Sequence, residues 1–235
     1  MCSEEQRVAD ELKEAGVLTE MSPELLTRTE AQYLVGCSDG HHAMSLVNMH
    51  ALACGMSIEQ IDRGRALFHP ILVNGGCLCF SPTCALARLE GLPQDHVVIM
   101  NLAYAMLLKG THGQVSLYSH SACGAAGLAQ VHGHDVYDQA LRGKYRLRRI
   151  FTKEIFDGSF GAFILLAERT LEVITRKPWH INKGKWVEWL QQPSQSARRD
   201  AWSNYKQDVE SGLGLDVDLD VFRLMRKKMR ELQAA

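Results

Sequence analysis

The chain has 235 residues, of which 46% are hydrophobic and 23% charged, with a formal net charge of -1 and a pI near 6.8. That length and apolar content exclude a disordered chain and suffice for one globular unit with a buried core. The near-neutral balance excludes a global electrostatic pull toward nucleic acid or a membrane surface, so small molecules are the expected partners.

The opening stretch "MCSEEQRVADELKEAG" is charged from its fourth residue, Glu4, and lacks the apolar centre of a signal peptide. No later stretch approaches the ~20 apolar residues of a spanning helix, so a cytoplasmic protein is expected. The seven cysteines are Cys2, Cys37, Cys54, Cys77, Cys79, Cys84 and Cys123. In a reducing compartment they are free thiols or metal ligands rather than a disulfide frame.

Val8, Leu12 and Ala15 recur at helical spacing among charges, and "MSPELLTRTEAQ" offers Ser22 as N-cap with Pro23 at the first helical position. Two N-terminal helices are therefore expected within residues 1–30. The run Tyr33-Leu34-Val35 reads as a short buried strand ending at Gly36, which puts Cys37 at its C-terminal end. A helix follows over Met44 to Cys54, closed by Gly55, and Ser57 with Gln60 forms a capping box. Ile71 to Val73, between Pro70 and Asn74-Gly75-Gly76, reads as a second buried strand.

The apolar positions Val98, Ile99, Leu102, Met106 and Leu107 predict a helix from Gln94 to Lys109, stopped by Gly110. Val115 to Tyr118 reads as a third strand, and the turn "HSACGAAG" leads into another helix. Strands alternating with helices predict an α/β core over residues 31–135, with a central, mostly parallel sheet flanked by helices. Residues 136–235 are expected to form a mainly helical C-terminal part packed on that core. Within it, "IFTKEIFDGSFGAFILLAERTLEVITRK" reads as mostly helical, and "DVFRLMRKKMRELQ" carries Phe222, Met225, Met229 and Leu232 on one helical face.

In an open parallel sheet, ligands bind beyond the carboxyl ends of the strands. Cys37-x-Asp39 lies at one such end and His120-x-x-Cys123 at another. Two thiolates and one imidazole suit Zn2+ and leave a fourth position open, as in a catalytic zinc site. Such a site has a formal charge near zero and acidifies its water less than a three-histidine site does, so an acceptor that orients the water matters more; Asp39 is placed to be it.

"CSDGH" followed by "HSACG" resembles the β-class carbonic anhydrases, whose pattern is Cys-x-Asp-x-Arg and later His-x-x-Cys-Gly. The stretches "RGRALFHPILVNGG" and "NLAYAMLLKGTHGQVSLYSHSACGAAGL" resemble the same family, so the likeness covers about residues 32 to 131. The resemblance implies a β-carbonic-anhydrase-like fold and a zinc lyase of the carbonate dehydratase type, with CO2 and bicarbonate as substrates. It implies zinc on Cys37, His120 and Cys123, and Asp39 either orienting the metal's water or acting as a fourth ligand. It also implies a homodimer or higher homo-oligomer.

Three departures stand beside it. His41 occupies the place of the family's Arg, shorter and without the planar fork, and would steady Asp39 or relay protons. Val73 stands where the family has Arg, and the family's final strand and Gly-x-x-Tyr-Asp pattern are not found. These departures keep two alternatives in view: a carbonic-anhydrase-like zinc protein with little hydration and a binding or regulatory role, or a hydrolase of carbonyl sulfide or carbon disulfide.

Elsewhere the plainer readings prevail. His42 reads as an ordinary turn histidine, and Cys77, Cys79 and Cys84 as idle or buried thiols. His132 and His134 read as a solvated helix end. The charge run around Arg142, Lys144, Arg146, Arg148 and Arg149 reads as a solvated helix face.

Overall fold

The computed structural model describes residues 3–22, 31–57, 59–60, 68–89, 92–110, 112–153, 155–169, 174–217, 220, 223–224, 227 and 231. Helix α1 (Ser3–Glu14) buries Val8, Ala9 and Leu12, and strand β1 (Leu18–Glu20) follows it. Next come β2 (Ala31–Cys37), α2 (Gly40–Ala53), β3 (Phe68–Val73) and a 3-10 turn over Gly76–Phe80. A small hairpin, β4 (Arg88–Leu89) with β5 (Leu92–Pro93), leads into α3 (Gln94–Lys109), β6 (Gly113–His120) and α4 (Gly124–Leu128). The chain continues through α5 (His134–Ile150), β7 (Ser159–Arg169), β8 (Ile174–Ile181), α6 (Lys183–Trp189) and α7 (Ser196–Glu210). No helix among the described residues is long and apolar enough to cross a membrane.

Six strands form one sheet in the order β1-β8-β7-β6-β2-β3. From the central β2 the chain crosses to β3 on one side, then returns through α3 to β6 on the other, and both neighbours run parallel to β2. The strand order thus reverses between β2 and β6, and it is beyond the carboxyl ends at such a reversal that ligands bind in open α/β sheets. Cys37 closes β2 and His120 closes β6.

The sheet is mixed, not mostly parallel as expected. β7 runs parallel to β6, but β8 is antiparallel to β7 and β1 antiparallel to β8. β7 ends at Arg169 and β8 begins at Ile174, which leaves too few residues for the crossover that a parallel pair requires. This strand pair also corrects the expectation of helix over Ile150 to Lys177 and of a helical C-terminal extension throughout. Phe160, Ala162, Phe163, Ile164, Leu165 and Leu166 are all buried, because β7 is covered on both faces; a strand in that setting loses the alternation that would mark it.

The helices pack on both faces. On one, Tyr33, Val35 and Leu117 of the strands meet Ile99 and Leu102 of α3 and Leu147 of α5. On the other, Leu34, Phe68, Tyr118 and Phe163 form a smaller cluster with Leu46 of α2. Each such side chain, fully buried, stabilises the fold by roughly 1.5–3 kcal/mol. The three tryptophans of α6 and α7, Trp186, Trp189 and Trp202, are core residues.

The charge run in α5 is a solvated face only at Arg148 and Arg149, which are exposed. Arg142, Lys144 and Arg146 are buried: Arg142 bonds Asp138 at 2.7 Å, and Arg146 bonds Asp95 at 2.7 Å and the Phe80 carbonyl at 3.1 Å. Nor is His134 a solvated end, since it bonds Glu11 of α1 at 3.2 Å and stacks on Trp189 at 5.1 Å. The second N-terminal helix, expected from Ser22, falls mainly on residues 23–30, and most of the final amphipathic helix with Phe222, Met225, Met229 and Leu232 also lies outside the described residues.

Candidate metal centre

The sequence folds tightly around the two strand ends. Ser38 donates its amide to the Val73 carbonyl at 3.1 Å, and its hydroxyl bonds Asn74 Oδ1 at 2.7 Å, tying the end of β2 to the turn after β3. Gly76 in that turn has φ +58°, and a Cβ there would lie 2.3 Å from the Tyr118 carbonyl and 3.0 Å from the Cys37 amide. Only glycine lets this turn approach the backbones of β2 and β6 so closely. Asp39 caps α2, its carbonyl accepting from the Ala43 amide at 2.8 Å.

Beyond β6, the turn through Ser121 and Ala122 brings Cys123 back toward the sheet. Ala122 is left-handed at φ +55°, a conformation that costs a non-glycine residue about 1–2 kcal/mol, and its amide donates to Glu5 Oε1 of α1 at 3.3 Å. A shallow open hollow beside the turn is lined by Glu5, Val8, Ser121 and Tyr137 among others. None of the three candidate ligands lines it, so it is not where a substrate would meet them.

Cys37, His120 and Cys123 are 4%, 3% and 7% exposed, and each offers a ligand atom within 4.8 Å of the other two. The two Sγ atoms are 3.9 Å apart. A tetrahedral ion with metal–sulfur bonds near 2.3 Å would need them about 3.8 Å apart. His120 Nδ1 lies 3.0 Å from the Ser121 carbonyl, while its Nε2 is buried and has no hydrogen-bond partner. A buried nitrogen without a partner is costly, and a bound cation removes that cost. With Nδ1–H given to Ser121, the lone pair of Nε2 is left for a metal, which is the usual way a ligating histidine is oriented.

The electrostatics favour one ionised sulfur in the pair, that of Cys37. The hydrogen bond from Cys123 holds the Cys37 thiol down to about 4, helped by His120 and the Asp39 amide against the opposing effect of burial. Cys123, sharing that proton and buried, is pushed up, although the Ala126 and Ala125 amides favour its thiolate. Burial opposes charge on His120, but the neighbouring Cys37 sulfur and its negative charge outweigh it and raise the imidazole. This buried Cys-His-Cys group has the makeup of a metal site.

Of the other residues singled out in the sequence, Asp39 stands at the rim, half-buried, close to His120. The backbone of His41 lies in the first turn of α2, and its side chain is outside those described. Cys77, Cys79 and Cys84 are buried, as expected of idle thiols, and burial raises all three. The residue missed by sequence reasoning is His42, whose ring stacks on His120 with centroids 4.0 Å apart. Its place three residues after Asp39, in the first turn of a helix, was the available signal, because such residues share a side.

In comparisons with known proteins, no protein-family model matches the chain, and no curated protein matches it.

Proposed function

We propose that the chain is a zinc enzyme of the β-carbonic anhydrase type, hydrating CO2 reversibly to bicarbonate. The observation that carries this reading is the convergence, at the strand-order reversal, of two thiols at 3.9 Å and a buried imidazole nitrogen without a partner. Cys37, His120 and Cys123 would hold the ion, consistent with a fold that is α/β with parallel strands at its centre. Zinc held there would supply Lewis acidity, making water a competent nucleophile near neutral pH.

The residues of the chain supply the rest. The Ser121 carbonyl fixes the His120 ring through Nδ1. The Asp39 amide helps to hold Cys37 as a thiolate, and the Ala125 and Ala126 amides partly offset the burial and the Cys37 charge that oppose a second thiolate on Cys123. Asp39, half-buried beside His120, would accept a hydrogen bond from the reacting water and orient it, and His41 would steady Asp39 or relay its proton.

A second reading has its own support: a zinc protein of the same type with little turnover, serving as a binding or regulatory subunit. His41 and Val73 in place of two arginines favour it, as does the near-complete burial of all three ligands. A hydrolase of carbonyl sulfide or carbon disulfide would use the same ligands with a different substrate pocket.

Stopped-flow CO2 hydration by the zinc-loaded chain and by His41→Arg, from mildly acid to alkaline pH, separates these readings. The first reading expects hydration that rises with pH in the natural chain, with a lower pH midpoint in His41→Arg, because arginine draws Asp39 away from the metal across the whole range. Full zinc with no hydration in either protein would overturn the hydration reading and leave the second.

A further inference from the structure

Asp39, His42 and His120 also each offer a ligand atom, and these three atoms lie within 4.8 Å of one another. The set is distinct from the sulfur pair in its chemistry: one carboxylate oxygen and two imidazole nitrogens, a combination of harder donors. The His42 and His120 rings lie face to face, 4.0 Å between centroids and 28° between planes, so binding one ion through both requires one ring to turn. A further observation points to an occupant. On those rings, His42 Nδ1 and His120 Nε2 are both buried and both without a hydrogen-bond partner.

We propose that Asp39, His42 and His120 form a second cation site, taking divalent ions of harder character than the Cys37–Cys123 pair prefers, such as Mn2+, Fe2+ or Co2+. The two sites share His120. Its Nδ1 is engaged by the Ser121 carbonyl at 3.0 Å, so Nε2 alone is left to coordinate, and one ion at a time can use it. The chain therefore holds a single ion in one of two positions. A soft or borderline ion sits on the sulfurs and His120, and a harder one sits on the oxygen–nitrogen side with His42. The proposal goes beyond the hydration reading and does not depend on turnover.

The test uses the full chain stripped of metal, with Mn2+ as the probe and its free electron paramagnetic resonance signal as the readout. One Mn2+ per chain is expected to bind, to be released by one equivalent of Zn2+, and to bind about tenfold more weakly or worse in His42→Ala. Zinc stoichiometry in His42→Ala is expected to stay at one per chain, because the sulfur site does not use His42. Absence of manganese binding, equal manganese affinity in His42→Ala, or simultaneous binding of Mn2+ and Zn2+ would overturn the proposal. In Cys37→Ser/Cys123→Ser the manganese is expected to remain while tight zinc binding is lost; should that variant not fold, the natural chain and His42→Ala decide alone. Loss of zinc from the sulfur site with manganese retained on His42 would instead contradict the zinc reading and leave this one standing.

Discussion

Lys144 shows how a single residue carries a cost that its local sequence hides. It lies in a run of basic residues that reads as a wet helix face, yet it is 9% exposed. Burial, with Arg148 and Lys183 nearby, pushes its ammonium down to about 8. A folded-state value below the unfolded one means that the unfolded chain binds more protons between the two, so stability rises with pH from about 8 to about 10.5. Lys144→Met is expected to flatten that rise and to stabilise the chain at pH 7 by about 2–3 kcal/mol, read by urea unfolding across that pH range. The same blindness to distant partners hid Arg146, whose buried acceptors Asp95 and Phe80 lie far away in sequence. His42 was hidden only in part. Its partner His120 is remote, but Asp39 is one helical turn away, and that local spacing was readable. Cys37, His120 and Cys123 could be read because each ends or follows an apolar strand, and strand ends in such a sheet share one edge.

At the scale of elements, α3 occupies the expected bounds of Gln94 to Lys109 because its apolar periodicity and its glycine stop are local features. The Ser57–Gln60 box also forms, with Ser57 N to Gln60 Oε1 at 2.9 Å and Gln60 N to Ser57 Oγ at 3.2 Å. β7 was not readable, since "FILLAER" is built from residues that serve a helix equally well and its coverage on both faces is a property of the whole sheet. The Asn74-Gly75-Gly76 turn was readable as a strand terminator but not as a support of the metal centre. Its Gly76 sits against the backbones of both ligand-bearing strands. Gly76→Ala is expected to cost about 2 kcal/mol or more of stability, from the clash and the left-handed φ together, and to weaken metal binding. Thermal unfolding and a competitive zinc titration check the two effects. An unchanged stability would mean that the turn does not hold β2 and β6 as described.

At the scale of the molecule, the α/β architecture and the edge at which the site lies were readable, while the mixed character of the sheet was not. The reversal from β7 into β8 depends on a short connection, and a run of apolar residues does not disclose it. The proposed β-carbonic-anhydrase reading carries with it at least a dimer, and we propose the exposed side of α3 as its contact. On α3, Val97, Tyr104 and Leu108 are 62%, 36% and 74% exposed along one side of the helix. α3 packs beside β3, which ends the sheet and pairs only with β2 among the described strands. Light scattering is expected to give a dimer for the natural chain and a monomer for Leu108→Lys; a natural chain that stays monomeric at high concentration would contradict the implied assembly.

The most direct measurement for the molecule as a whole is metal content, by mass spectrometry of the native chain alongside His120→Ala. One zinc per chain is expected, lost in His120→Ala, because among the described residues His120 is the one that brings a nitrogen to the Cys37–Cys123 pair. A natural chain that carries no zinc and takes none up after metal is supplied would contradict the zinc centre and the hydration chemistry built on it.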